Sequence, residues 1–147
     1  MIDIENYVVD QVKTYLATAY PSASVGSDIT IAPPKFPYVN IEVGDNSIDT
    51  SRRTEHIENM ANILLTVEVY SNLVNGRKSQ AKEIAALVND KLIGLGFTRM
   101  SMLPLPYEPG FYRINARYTA RVDQRFTTQL VDGETVTVEH NVIYQSI

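Results

Sequence analysis

The sequence predicts an α+β fold, in which a mixed, largely antiparallel sheet of four to five strands carries two helices on one face. Two segments have apolar residues at helical spacing, and several others alternate between apolar and polar residues. These segments follow the order α-β-β-α-β-β, before a C-terminal β-hairpin. Each helix has one apolar stripe and each strand one apolar face, so the most economical packing places both helices on the same face of the sheet.

The first helix is predicted over residues 3–19, where Asp3 is expected to cap the start and Pro21 follows the end. Residues 22–37 contain three prolines and are predicted to be mainly loop, with at most a short strand at 29–31. The apolar stripe of the helix has i, i+3, i+4 spacing and consists of Ile4, Tyr7, Val8, Val12, Tyr15, Leu16 and Ala19.

Four strands are predicted, over residues 38–43, 62–71, 97–103 and 111–125, because apolar and polar side chains alternate there. The polar stretch 44–59 is predicted to be a loop. Loops of more than about 12–15 residues in a compact domain are usually functional or disordered. We therefore expect residues 44–59 to be mobile in the free subunit and to become ordered against a neighbouring subunit or the tail tube.

The second helix is predicted from residue 77 to about residue 93. Its start, Gly-Arg-Lys-Ser, partly matches a phosphate-binding loop. In that loop a lysine directly follows the second glycine, and another glycine lies five residues earlier. Here Arg77 follows Gly76, and Ser71 occupies the earlier position. We therefore expect no nucleotide site, and interpret Asn75 as the helix cap.

A two-residue hairpin turn is predicted at Asp132 and Gly133, between the strand-forming residues 130–131 and 135–138. We divide the chain into a single α+β domain, residues 1–126, and a C-terminal hairpin extension, residues 127–147.

The amino-acid composition excludes several classes of function. The 147 residues include no cysteine and carry a net charge of −4, which argues against general nucleic-acid affinity. No apolar run reaches the ~18 residues of a membrane helix, and the acidic start is unlike a signal peptide. No catalytic or cofactor motif is recognised, so we expect no enzyme activity, cofactor or metal. A divalent-cation site is the less favoured interpretation of one polar group, Asp45, Asp49, Glu55, His56 and Glu58.

The second face of the sheet is predicted to stay uncovered and to mediate assembly. An arginine row at 113, 117, 121 and 125 could form ion pairs with Glu42 and Glu68, contact another subunit, or bind nucleic acid. Tyr38, Tyr70 and Phe111 are expected to be exposed on this face beside the charged residues. Tyrosine and arginine are enriched at protein interfaces. The candidate contact residues are Arg52, Arg53, Tyr70, Arg113, Arg117, Arg121, Asp132 and Gly133.

An ordered set of short motifs resembles the tail terminator, or tail completion, proteins of long-tailed bacteriophages. The resemblance covers residues 1–126 and leaves 127–147 without a counterpart. It implies the same fold, and a ring, expected to be a hexamer, that caps the head-proximal end of the tail tube and stops its polymerisation. The motifs are Val-Tyr-Ser-Asn at 69–72, Gly-Arg-Lys-Ser-Gln-Ala-Lys at 76–82, Gly-Phe-Thr-Arg at 96–99 and Arg-Tyr-Thr-Ala at 117–120.

The resemblance also implies partners. These are other copies of the chain, the tail tube protein and a neck or head-completion (stopper) protein. DNA would pass through the channel of the ring without specific binding, and the protein would reside in the virion. Two alternatives stay open: another ring component of the neck, such as a stopper, and a small hydrolase or nucleotide enzyme.

Overall fold

Two helices lie on one face of a mixed six-stranded sheet. The computed structural model describes residues 3–27, 33, 35–48, 60–105, 110–131 and 134–144, and side chains only as far as Val122. In chain order the elements are α1 (Glu5–Ala19), β1 (Ser24–Gly26), β2 (Tyr38–Ile48), β3 (Met60–Ser71), α2 (Arg77–Leu95), β4 (Thr98–Pro104), β5 (Tyr112–Val131) and β6 (Glu134–Tyr144).

The strand order across the sheet is β1-β2-β3-β5-β4, and β6 also pairs with β5. β1 and β2 run parallel, whereas the other neighbours are antiparallel. The predicted fold class, α+β with both helices on one face, is confirmed. The predicted order of the main elements also holds, with β1 as an addition.

The core fills the space between the helices and the sheet. Burying these side chains is the main source of stability, at about 25 cal/mol per Å² of apolar surface. α1 contributes Val8, Val12 and Leu16, and α2 contributes Ala81, Ile84, Ala85, Val88 and Leu92. The sheet contributes alternate residues, among them Val39, Ile41, Ile63, Leu65, Val67, Ile114, Ala116, Tyr118, Ala120 and Val122.

Two stretches predicted to be loop contain strand. β1 lies within the proline-rich segment and pairs with the start of β2, whereas the strand expected at 29–31 lies outside the described residues. β2 continues to Ile48 because a register shift between Val43 and Asp45 accommodates Gly44. A bulge of this kind breaks the period-two pattern, so alternation alone missed residues 44–48.

α2 starts at Arg77 as predicted, but the capping residues at both helix starts differ from the predictions. Asn75 is not the cap of α2: the N-cap is Gly76, whose φ of 91° is left-handed, and no side chain caps this end. Asp3 lies one residue before the N-cap of α1, Ile4, yet its Oδ1 accepts a hydrogen bond from the Glu5 N–H at 3.0 Å. Asp3 therefore bonds to the start of α1 as a capping residue would, although it is not the N-cap. The predicted cap of α2 was wrong by one residue.

β5 is longer than predicted, at 20 residues. It crosses the boundary drawn at 126/127 without interruption, and the division into two units stays a prediction. Its end, Val131, pairs with Glu134 at the start of β6. The predicted turn residues Asp132 and Gly133 lie between these paired ends, outside the described residues. No helix in the described part of the chain is both long and apolar enough to cross a membrane.

Candidate assembly surface

The face of the sheet away from the helices is polar, and we call it the open face. Register places Glu42, Thr66 and Arg117 in one row across β2, β3 and β5, and Asn40, Glu68 and Asn115 in the next. Acidic residues therefore lie on β2 and β3, and arginines on β5. The strands alternate between this polar surface and the core, as the sequence predicted.

An aromatic cluster covers one end of the open face. The ring centroids of Tyr38 and Tyr70 are 6.3 Å apart, those of Tyr70 and Phe111 5.9 Å, and those of Phe36 and Phe111 5.8 Å. Tyr70 is only 2% exposed and Tyr38 only 8%. The expectation that both tyrosines are exposed is therefore wrong, because neighbouring aromatic rings pack over them.

A polar network joins this cluster to the charged part of the face. The Tyr70 hydroxyl donates a hydrogen bond to Glu68 Oε2. Burial, and then this carboxylate, raise the pKa of Tyr70 well above its ordinary value. Arg113 lies over the Tyr70 ring at 5.9 Å, and its Nε is 3.8 Å from Glu68 Oε2, which is an ion-pair distance but too long for a hydrogen bond. The network fixes Glu68 and Arg113 in place.

Asn40 extends the polar network onto β2. Its side chain is buried, and its Nδ2 donates to Glu42 Oε1 at 3.1 Å. Within the described residues its Oδ1 has no hydrogen-bond partner, and neither has the Nε of Arg113. Two buried polar atoms thus retain unused hydrogen-bonding capacity on this side of the sheet.

The predicted contact residues have different environments. Arg117 is exposed and belongs to no ion pair in the part of the chain that the structure describes. Arg113 pairs with Glu68, as the ion-pair interpretation predicted, and Arg121 is half-buried and engaged in an interaction. Their role in contacts, and that of Tyr70, stays a prediction. Arg52, Arg53, Asp132 and Gly133 lie outside the described residues.

A two-stranded ribbon projects from one end of the sheet. β3 begins at Met60, opposite Asp123, so residues 124–131 of β5 extend beyond it and pair with β6 alone among the described strands. At about 3.3 Å per residue the projection is about 26 Å long. Unpaired strand edges of this kind are templates for pairing with another chain.

An apolar cavity of about 330 Å³ lies at the other end of the sheet, beside β4 and the first turns of α2. Lys78 and Lys82, four residues apart on α2, bring positive charge to its lining. The apolar lining consists of Met102, Leu103, Pro104, Tyr112 and Ile114.

The sequence placed the charged rows and three of the aromatic residues on the open face, but it did not predict the packing of those rings or this cavity. Phe36, Tyr38, Tyr70 and Phe111 come from three separate segments, so their meeting depends on strand register. The acidic group considered for a cation lies largely at 49–59, outside the described residues. Among the described side chains no cluster of three or more histidine or acidic residues could hold a metal ion.

Comparison with known proteins shows a likeness of fold. A chain from the virion of a native gene transfer agent particle superposes with a TM-score of 0.55, at 18% sequence identity. The match covers 79% of this chain and 91% of that one. No family model matches the sequence, and no curated protein matches it.

Proposed function

We propose that this chain is a non-enzymatic structural component of a phage-like virion. The observation that carries the proposal is the shared fold with a gene transfer agent virion chain, over most of both chains. The ordered motifs that resemble tail terminator proteins point to the same class, as does the uncovered polar face. A protein that works through its contacts needs such surfaces rather than a catalytic centre.

Within that class, we propose that copies of the chain form a ring, a hexamer by the resemblance, on the head-proximal end of the tail tube. A closed ring needs two different, complementary patches on each subunit. The open face, with acids on β2 and β3 and arginines on β5, supports one patch. The projecting ribbon of β5 and β6 supports the other.

The same proposal assigns the partners. The ring would contact the tube protein on one side and a stopper protein of the neck on the other. DNA would pass through its channel without specific binding, which the net charge of −4 favours.

The test uses the full chain, mixed with tubes assembled from the cognate tube protein and viewed by negative-stain electron microscopy. A terminator should sit on tube ends and stop their growth. A stopper should leave bare tube ends and bind only completed tails, so that outcome would assign the chain to another place in the neck.

Arg117→Glu tests the open face, because Arg117 is exposed and forms no ion pair among the described residues. We expect it to reduce the capping of tube ends by about tenfold or more, since a reversed charge meets a complementary surface. The melting temperature should change little. The matched control is Lys13→Glu, an exposed cation on α1, and equal capping by both variants would exclude Arg117 from the contact.

A further inference from the structure

β4 and β6 form one long edge of the sheet. Both strands pair with the same side of β5 and run antiparallel to it. β4 starts at Thr98 opposite Thr119, and β6 ends at Tyr144 opposite Arg121. The two strands therefore lie end to end, with a junction opposite Ala120, and we call them the composite edge.

The outer side of this edge is unpaired in the described part of the chain, where β4 and β6 both pair with β5 alone. β6 contributes 11 residues and β4 contributes seven. At about 3.3 Å per residue the edge is about 60 Å long. Native proteins rarely leave so long an edge open, because it pairs readily with another strand.

On β4 a register shift between Arg99 and Ser101 interrupts the edge, so the stretch from Ser101 to Leu103 is the part most open to pairing. Pro104 stands only at its end, and Leu103, which is 61% exposed, presents an apolar side chain next to it. The apolar cavity with Lys78 and Lys82 lies beside the same end of β4. An added strand would find backbone partners at the edge and a recess for its apolar side chains.

We propose that the composite edge pairs antiparallel with the composite edge of a second copy of this chain, related by a two-fold axis at the junction. Antiparallel pairing about that point places β4 of each copy against β6 of the other. Leu103 lies opposite Asn115, five residues before Ala120, and His140 lies opposite Arg125, five residues after it. Leu103 of one copy therefore meets His140 of the second copy.

Charge complementarity supports the second copy as the occupant. The same axis brings Pro104, opposite Ile114, alongside Glu139, opposite Phe126. Glu139 of the second copy then occupies the strand position beside Pro104, which lines the same cavity as Lys78 and Lys82. A two-fold contact is self-complementary, so each dimer makes this match twice.

The dimer covers β6 from Glu139 to Tyr144, which is part of the edge that the proposed ring would also use. It would keep that part from pairing with other chains until a tube end is present. The dimer forms without a tail tube, so it can be tested on the purified protein independently of the proposed function in the virion.

Cysteine cross-linking tests the geometry, since the chain has no cysteine of its own. Leu103→Cys and His140→Cys variants of the full chain are prepared separately, mixed, and treated with a short bismaleimide. We expect covalent dimers mainly in the mixture. Two copies of residue 103 lie ten strand positions apart across the axis, or about 33 Å, too far for the reagent.

The matched control pairs Val74→Cys with His140→Cys, because Val74 is 89% exposed but lies off the edge. Cross-linking of the Leu103 and His140 mixture no greater than that of this control would overturn the proposal. So would equally strong cross-linking of Leu103→Cys with itself.

Charge reversal tests the proposed pairing of Glu139 with the lysines of the cavity. Sedimentation analysis should show that Lys82→Glu weakens the dimer at least about threefold, and that adding Glu139→Lys to the same chain restores it. Lys13→Glu should leave the dimer unchanged. A protein that sediments as a monomer at about 100 μM, or a Lys82→Glu dimer as tight as that of the Lys13→Glu control, would contradict the pairing.

Discussion

The two faces of β3 are stabilised by different interactions. Toward the helices, Leu65 and Val67 are almost completely buried in an apolar core. On the open face the neighbouring residues are half-buried, and Glu68 is held by Tyr70 and Arg113. Apolar burial stabilises the subunit. A polar face costs little to expose, and a partner can cover it if that partner supplies matching hydrogen bonds and charges. The core-facing side of β3 therefore stabilises the fold, and the open face is the surface proposed for contacts.

The sharpest test of this comparison uses two adjacent leucines of β3. Leu65→Ala should lower the free energy of unfolding by about 3 kcal/mol, because it leaves a cavity under the helices. Leu64→Ala, on the half-buried open face, should cost about 1 kcal/mol or less. Urea denaturation measures both, and equal losses would mean that the open face is covered as tightly as the core.

The second prediction concerns the buried face of the sheet, where ionisation of Tyr118 at alkaline pH should lower the stability of the protein. Burial raises the pKa of Tyr118 to about 12, against the influence of Arg99, and the hydroxyl donates to Asn89 Oδ1 at 2.8 Å. The folded state then keeps a proton that the unfolded state loses above pH 10. Stability should be constant below about pH 9 and fall between pH 10 and 12, by about 1.4 kcal/mol per pH unit for each such tyrosine.

Tyr118→Phe should reduce this alkaline loss, and Tyr70, whose pKa is also raised, should account for the remainder. Thermal unfolding followed from pH 8 to 12 provides the measurement. An identical pH profile in Tyr118→Phe and the parent protein would show that Tyr118 ionises equally in both states.

On the open face, removing the charge of Glu68 should have a smaller effect. Glu68→Gln weakens the hydrogen bond from Tyr70 and leaves Arg113 without its ion-pair partner, so we expect a loss of about 1–2 kcal/mol. Asp45→Asn, at an exposed site, should stay within about 0.5 kcal/mol. Chemical denaturation measures both variants. Equal stabilities would show that the contacts of Glu68 with Tyr70 and Arg113 do not stabilise the fold.

The smallest expected effect is at the start of α2. Gly76→Ala places a Cβ in a left-handed conformation and should cost about 1 kcal/mol, although open space surrounds the site. Asn75→Ala should be nearly neutral, because Asn75 is exposed and makes no cap hydrogen bond. A larger loss for Asn75→Ala than for Gly76→Ala would restore asparagine as the cap.

Residue spacing along the chain predicted the two helices, the main strands and the face that each presents to the core. Helix and strand periods are local properties, and the core positions of α2 and of β5 up to Val122 can be identified from spacing alone. The arginines of β5 were likewise assigned to the face opposite the core. Local signals also predicted a turn at residues 132–133, which lie between the paired ends of β5 and β6 but outside the described residues.

The way these elements meet depends on contacts between distant parts of the chain. The burial of Tyr70 depends on Tyr38 and Phe111, which strand register brings beside it from distant positions. The continuation of β2 past Gly44 depends on pairing with β3 through a bulge. The end-to-end arrangement of β6 and β4 depends on both strands choosing the same side of β5. Each of these outcomes comes from contacts between residues far apart in the chain, which local spacing does not encode.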